Sequence, residues 1–210
     1  MDDHPLVREW LANLINQQPD LAVCGEAVTA SEALQKIAAA KPEVAIVDVT
    51  LKDSSGIELI KELKQSCPTV GVLVLSMHDE ELYAERALRA GAKGYIMKRE
   101  ATKRVISALR KVLEGKLYIS ENITERITIQ FVEGKTLALR SPVELLSDRE
   151  LAVFDALGAG RGTREIAEML RISMKSVQVY CGRIKQKLHL SNANELLREA
   201  VRHREAENPA

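Results

Sequence analysis

Asp2, Asp3, Asp48, Ser76 and Lys98 are the side chains of this 210-residue chain whose types suit one shared reaction. Clustered carboxylates repel unless a cation sits among them, and oxygen ligands with room for water suit Mg2+. With Asp2, Asp3 and Asp48 around such a cation, Asp48 could act as a nucleophile and carry an acyl phosphate. The Ser76 hydroxyl and the Lys98 ammonium would receive the phosphoryl oxygens.

That chemistry needs residues far apart in sequence to meet, and the pattern of the first 120 residues supplies a way. Val44-Ala45-Ile46-Val47 is an unbroken apolar run ending in Asp48, which reads as a strand buried on both faces. Pro5 to Ile15, Ser31 to Ala40, Ile57 to Gln65, Glu80 to Ala90 and Thr102 to Leu113 carry helical spacing. Leu21 to Ala27, Val70 to Ser76 and Gly94 to Met97 read as further strands. Alternation of this kind specifies parallel strands joined by right-handed crossovers, with helices on both faces. Asp48, Ser76 and Lys98 then fall at the carboxyl ends of their strands, where open α/β sheets place their functional crevice. Asp2 and Asp3 join them only if a strand precedes them.

These residues resemble the receiver domain of two-component response regulators. The likeness rests on the acidic pair Asp2-Asp3, Asp48 in place of the phosphoacceptor, Ser76 in LVLSMHD, Lys98 in GYIMK, and Tyr95 in place of the switch aromatic. It implies a flavodoxin-like α/β fold, Mg2+ held by Asp2, Asp3 and Asp48, and phosphoryl transfer to Asp48 from a sensor histidine kinase or a small phosphodonor. It also implies a switch in which Ser76 and Tyr95 follow the phosphoryl group. Lys52 departs from the family's usual proline. The chain begins at the acidic pair, so the expected first strand, central in the 2-1-3-4-5 order, is absent from it. His4 and His78 adjoin the site and read as solvated turn residues.

From Glu144 onward the period is helical throughout. Ser147 and Glu150 form a capping box ahead of Leu151, Val153, Phe154 and Leu157. Gly158, Gly160 and Gly162 read as the end of that helix and a turn. A short helix begins at Thr163, a turn follows at Arg171-Ile172-Ser173, and a longer helix runs from Met174 to Leu188. This is the plan of a helix-turn-helix. Val177, Cys181, Ile184 and Leu188 recur at core spacing, leaving Lys175, Ser176, Gln178, Val179, Arg183 and Lys187 outward as candidate DNA contacts. Arg171 to His189 holds Arg171, Lys175, Arg183, Lys185 and Lys187 with no acid, a local basic stripe. LSDRELAVFDALGAG and TREIAEMLRISMKSVQVYCGRIKQKL resemble the LuxR-type output domain, whose final helix helps pair two copies on DNA. The resemblance therefore implies double-stranded DNA as partner and a homodimer when active.

The organisation expected is a receiver over 1–120, a linker over 121–141 with a helical first half, and an all-α helix-turn-helix domain over 142–210. Formal charge balances at 30 basic against 30 acidic residues, so only its distribution points to nucleic acid. Three scattered cysteines, Cys24, Cys67 and Cys181, and the lack of any membrane-length apolar run suit a cytoplasmic protein. The function expected is a phosphorylation-controlled transcription regulator, not an enzyme. A dehalogenase-type phosphohydrolase would need a second acid two residues after Asp48, where Thr50 stands. The alternatives are a constitutive DNA binder with a truncated, phosphorylation-silent receiver, and a protein-binding adaptor that leaves the basic stripe without a role.

Overall fold

The computed structural model describes residues 1–51, 55–77, 80–132, 142–170 and 172–207. Lys52, His78 and Arg171 lie outside the described residues, as does the second part of the expected linker, residues 133–141. The chain divides into two compact units, Met1–Gln130 and Phe131–Ala210. Among the described residues no helix is long and apolar enough to cross a membrane.

In the first unit, helices α1 (Pro5–Asn16) and α2 (Ala30–Ala40) precede strand β1 (Val44–Val47). Then α3 (Gly56–Ser66), β2 (Gly71–Ser76), α4 (Glu80–Ala90), β3 (Gly94–Met97) and α5 (Ala101–Leu113) alternate as the sequence predicts. The three strands form one parallel sheet in the order β1-β2-β3. Helices α1 and α5 present apolar stripes to this sheet: Leu11 of α1 packs with Leu73, Leu75 and Ile96 and with Val105, Leu109 and Val112 of α5. Buried strands need their edge groups paired. Along β3 this is done by the chain leaving α5, where Tyr118 N donates to Lys93 O at 2.8 Å and Tyr95 N to Tyr118 O at 3.0 Å.

The other edge differs from the sequence reading. Leu21 to Ala27 forms no strand, because a strand exists only where a ladder does, and no described segment lies between it and β1 along most of its length. Only Met1 and Asp2 reach across. Met1 donates its terminal amine to Ile46 O at 2.7 Å, and accepts from Asp48 N at 3.1 Å, the two bonds of a parallel pair opposite Val47. Asp2 N donates to Ala27 O at 3.4 Å on the far side. Beyond Met1 a groove of about 420 Å³ continues, lined by Leu21, Val23, Ile37, Val44, Ile46 and Leu109 among others. Burial holds the terminal amine well below its ordinary range, at about 6.

The second unit comprises α7 (Asp148–Gly158), α8 (Thr163–Met169), α9 (Met174–Lys187) and α10 (Ala193–Glu207), after α6 (Glu121–Val132). The expected capping box closes at Ser147, and α8 begins at Thr163 as expected, capped by Gly162, whose N–H donates to Glu165 Oε2 at 2.7 Å. Gly158 ends α7 as expected and is also a packing residue, since a Cβ there would lie 2.5 Å from Ala200 O of α10. The core gathers Leu151, Phe154, Ile166, Val177, Ile184, Leu196 and Ala200, all nearly excluded from solvent.

The groove beside β1 yields a test. Fusing about five extended Val/Ile-rich residues ahead of Met1 should bury new apolar surface and remove the buried amine. The melting temperature is expected to rise on the order of 5–10 °C. An unchanged or lowered melting temperature in differential scanning calorimetry would count against this account of the groove.

Candidate functional site

Strand register decides which side chains meet. Val47 pairs with Val74, and Ser76 pairs with Met97, so Asp48, Ser76 and Lys98 leave the sheet at one edge. Met1 is fixed beside Val47, which carries Asp2 and Asp3 to the same place. Asp2, Asp3, Asp48 and Ser76 are all buried, although charged and polar groups are seldom so without partners. Lys98, which opens a short 3-10 turn after β3, supplies the partner: its Nζ lies 2.6 Å from Asp2 Oδ2 and 2.7 Å from Asp48 Oδ2. The other Asp48 oxygen accepts from Thr50 N at 3.2 Å, holding the carboxylate at the start of the loop. Asp2 Oδ1 accepts from His4 N at 2.9 Å, and His4 Nδ1 lies 3.1 Å from Asp2 Oδ1 and 2.9 Å from Asp3 Oδ1.

Burial is the largest influence on the Asp48 carboxyl and pushes it up to about 6; Lys98 pulls against it and Asp2 adds to it. Lys98 is driven the other way by burial, yet the two carboxylates outweigh this and its pKa is raised. At neutral pH the site therefore holds an ionised, desolvated carboxylate beside a firmly protonated amine, the state a nucleophile toward phosphorus requires. Asp2, Asp3, His4 and Asp48 each place a ligand atom within 4.8 Å of the others, a donor set that could hold a metal ion. Tyr95 is buried in β3 and Ser76 is fully buried at the end of β2.

Sequence reasoning passed over Gly56. The loop from Asp48 returns so tightly that Gly56 N donates to Val49 O at 2.8 Å, and a Cβ on Gly56 would stand 1.9 Å from Asp48 O. Only a residue without a side chain lets α3 begin directly behind Asp48. A glycine one place after the helix cap Ser55 was the available signal, since most residues fit that position.

In the second unit α9 carries the candidate DNA contacts. Lys175, Gln178, Val179 and Arg183 are exposed, with Val177 and Ile184 fully buried on the opposite face. Ser176 is half-buried, its N–H donating to Ser173 Oγ at 3.0 Å, so it helps cap the helix. The Arg183 guanidinium lies 6.0 Å from the Tyr180 ring centroid. Lys187 is exposed as expected, but its Nζ is already paired, 2.7 Å from buried Glu150 Oε2 and 3.1 Å from Leu145 O. Because the periodicity that marks the core face is blind to a long flexible stem, an exposed basic residue near a helix end can still pair with a buried acid.

Two outcomes follow from this geometry. Gly56→Ala should cost about 1–3 kcal/mol of receiver stability, read by urea denaturation with Trp10 fluorescence; an unchanged midpoint would refute the close approach. Burial raises the Glu150 carboxyl, but the Lys187 ammonium and the Ser147 N–H prevail and hold it below the usual range. Its contribution is therefore full above about pH 4.5 and lost as pH falls below that. Glu150→Gln should be less stable than wild type by about 1–3 kcal/mol at pH 6, with the gap closing below pH 4 in calorimetry of the full chain; a gap that persists in acid would contradict the pairing.

Comparison with known proteins agrees with this geometry. Residues 1–110 match the response regulator receiver domain family, and residues 144–200 match the luxR family of bacterial regulatory proteins. The chain is 36% identical to the oxygen regulatory protein NreC of Staphylococcus carnosus over 205 residues, covering 96% of this chain and 94% of that protein. NreC of Staphylococcus haemolyticus is 34% identical over the same coverage. A LuxR-family two-component response regulator from Aurantimonas sp. SI85-9A1 superposes with a TM-score of 0.57 at 33% identity, over 62% of this chain and 94% of that one. Salmonella RcsB, in a structure with promoter rprA and phosphomimetic BeF3-, shares the two-domain fold at TM-score 0.58 and 24% identity, covering 94% of each chain. With a receiver carrying a buried carboxylate at its sheet edge and a helix-turn-helix unit later in the sequence, the chain belongs to the response regulators of the luxR family, the phosphorylation-controlled, DNA-binding transcription regulators of two-component systems.

Proposed function

We propose that Asp48 accepts the phosphoryl group, from a sensor histidine kinase or a small phosphodonor, and that α9 reads double-stranded DNA. The observation that carries this reading is the buried Asp48 carboxylate held 2.7 Å from Lys98 Nζ at the carboxyl edge of a parallel sheet. A carboxylate oxygen attacks phosphorus, the bond from phosphorus to the donor's leaving atom (a ring nitrogen of a phosphohistidine or an oxygen of a small acyl phosphate) breaks, and an acyl phosphate remains on Asp48. Mg2+ suits the oxygen-rich set of Asp2, Asp3 and Asp48 and would neutralise charge on the incoming phosphoryl group. Lys98 pairs with a phosphoryl oxygen in place of the carboxylate oxygen it now holds. The buried Ser76 hydroxyl and Tyr95 ring are the groups that would move in response. The receiver occupies 1–120, a linker 121–141 and the DNA-binding domain 142–210. On α9, Lys175, Gln178 and Val179 face base edges and Arg183 reaches phosphate, in a homodimer on paired half-sites.

A second reading is a constitutive DNA binder with a silent receiver: among the described residues the outer side of β1 is bonded only by Met1, opposite Val47. Acetyl phosphate separates the two. Under the first reading, incubation with acetyl phosphate and Mg2+ labels wild type but not Asp48→Ala, and tightens binding to genomic DNA fragments by roughly tenfold or more. Equal affinity with and without the phosphodonor would establish the silent receiver instead. Arg183→Ala should lower the slope of log affinity against log salt by about 1, while Lys187→Ala leaves it unchanged. A reversed pattern in fluorescence anisotropy titrations would restore Lys187 as a phosphate contact.

A further inference from the structure

Glycine is a poor choice for the interior of a helix, where it gives up the most backbone freedom and contributes no side chain. Among the described residues Gly182 is the one glycine inside a helix rather than at its end, with α9 running from Met174 to Lys187 around it. Two circumstances commonly require a glycine, and neither applies. Its φ is not positive, unlike that of Gly91, Gly115 and Gly160. Nor does a neighbour press on it: a Cβ on Gly56 or Gly158 would meet backbone at 2.5 Å or less, whereas one on Gly182 would meet nothing within 4 Å among the described residues. Neither backbone conformation nor packing among these residues accounts for the missing side chain.

Its place on the helix does. With about 3.6 residues per turn, Gly182 shares the exposed face with Gln178 and Val179 one turn before it, across from buried Val177 and Ile184. The Arg183 guanidinium lies over the Tyr180 ring, on the side away from Gly182, so this long neighbour leaves the gap open. A helix with its side chains is about 10–12 Å across and the major groove about 12 Å wide, so the side chains at the centre of the inserted face set how deeply the helix seats. We propose that Gly182 is a close-approach residue for duplex DNA: its bare backbone lets α9 sit deep in the major groove, where Gln178 and Val179 reach base edges. This rests on the reading of α9 as the DNA-reading helix, and goes beyond it in naming a residue that sets specificity by lacking a side chain. A methyl group there would hold the helix off the bases while leaving phosphates within reach of flexible basic stems.

Gly182→Ala and Gly182→Leu, both favourable in helices, test this in the full chain with acetyl phosphate and Mg2+ present. The probes are a duplex that wild type selects from a random-sequence pool and a scrambled duplex of the same base composition. In fluorescence anisotropy the alanine variant should bind the selected duplex roughly tenfold more weakly than wild type, and the leucine variant no better than the scrambled one. Affinity for the scrambled duplex, which phosphate contacts dominate, should stay within about twofold in both. The melting temperature of Gly182→Ala, followed by circular dichroism, should equal or exceed that of wild type, since open space surrounds the new methyl group. Affinity for the selected duplex within about twofold of wild type in both variants would overturn the proposal. Equal, partial losses in the two would overturn it as well, pointing to helix stiffness instead of close approach, and so would a lowered melting temperature of Gly182→Ala. If wild type selects no duplex, or if Gln178→Ala and Arg183→Ala bind the selected one as wild type does, the reading of α9 itself fails.

Discussion

One ammonium between two carboxylates underlies the receiver. Asp2 and Asp48 are almost wholly withdrawn from water, and two desolvated negative charges at close range would drive one of them to take up a proton. Lys98 Nζ, within 2.7 Å of both, lets them sit in the same place. Removing one partner from such a buried arrangement leaves uncompensated charge and typically costs about 3–5 kcal/mol. Other features of the site serve this contact. The parallel register brings Asp48 and Lys98 out at one edge, the bonds of Met1 to β1 bring Asp2 alongside, and Gly56 lets the following helix close behind Asp48 without displacing it. The contact is also provisional in chemical terms. A phosphoryl group on Asp48 offers Lys98 new oxygens, so the bond that organises the resting site is the one that modification would redirect.

The helical unit uses the same device for a different end. Glu150 is buried at the start of α7, where its carboxylate closes the capping box on Ser147 and also accepts from Lys187 at the far end of α9. One acid thereby ties the beginning of the unit to the end of the helix proposed to read DNA. The orientation of α9 depends on that tie as well as on its apolar face. Exposed basic residues can then be exchanged with consequences for affinity, while Lys187 is tied to the architecture. Gly158 sets the spacing against α10 in the same spirit, since a single methyl there would press on the Ala200 backbone.

Much of this was legible in the residues. Val44 to Val47 ending in Asp48 announces a doubly buried strand, and the alternation of periods around it determines a parallel sheet whose carboxyl edge collects Asp48, Ser76 and Lys98. Ser147 and Glu150 announce their capping box by spacing alone. The features that escaped depend on partners that a local pattern does not contain. Leu21 to Ala27 has strand composition but no neighbour to pair with along most of its length, and pairing rather than propensity makes a strand. Lys187 has the spacing of a surface residue and is exposed, and only the burial of Glu150 in a distant helix explains why its ammonium is paired. His4 lacks any periodic signature, and its inward aim comes from Pro5 and from the Asp2 carboxylate. Gly56 is a matter of a fold-back whose tightness is invisible until the loop is closed.

The central claim is that Lys98 stabilises the receiver by compensating Asp2 and Asp48, and a double-mutant cycle measures that coupling directly. Urea denaturation followed by Trp10 fluorescence would compare wild type, Lys98→Met, Asp48→Asn and the double variant, without added metal. The account predicts that Lys98→Met alone costs about 3–5 kcal/mol, that the double variant recovers a large part of this, and that the coupling energy exceeds about 1 kcal/mol. If Lys98→Met costs nothing, or the two substitutions simply add, the ammonium does not hold the carboxylates together and the account is wrong at its centre.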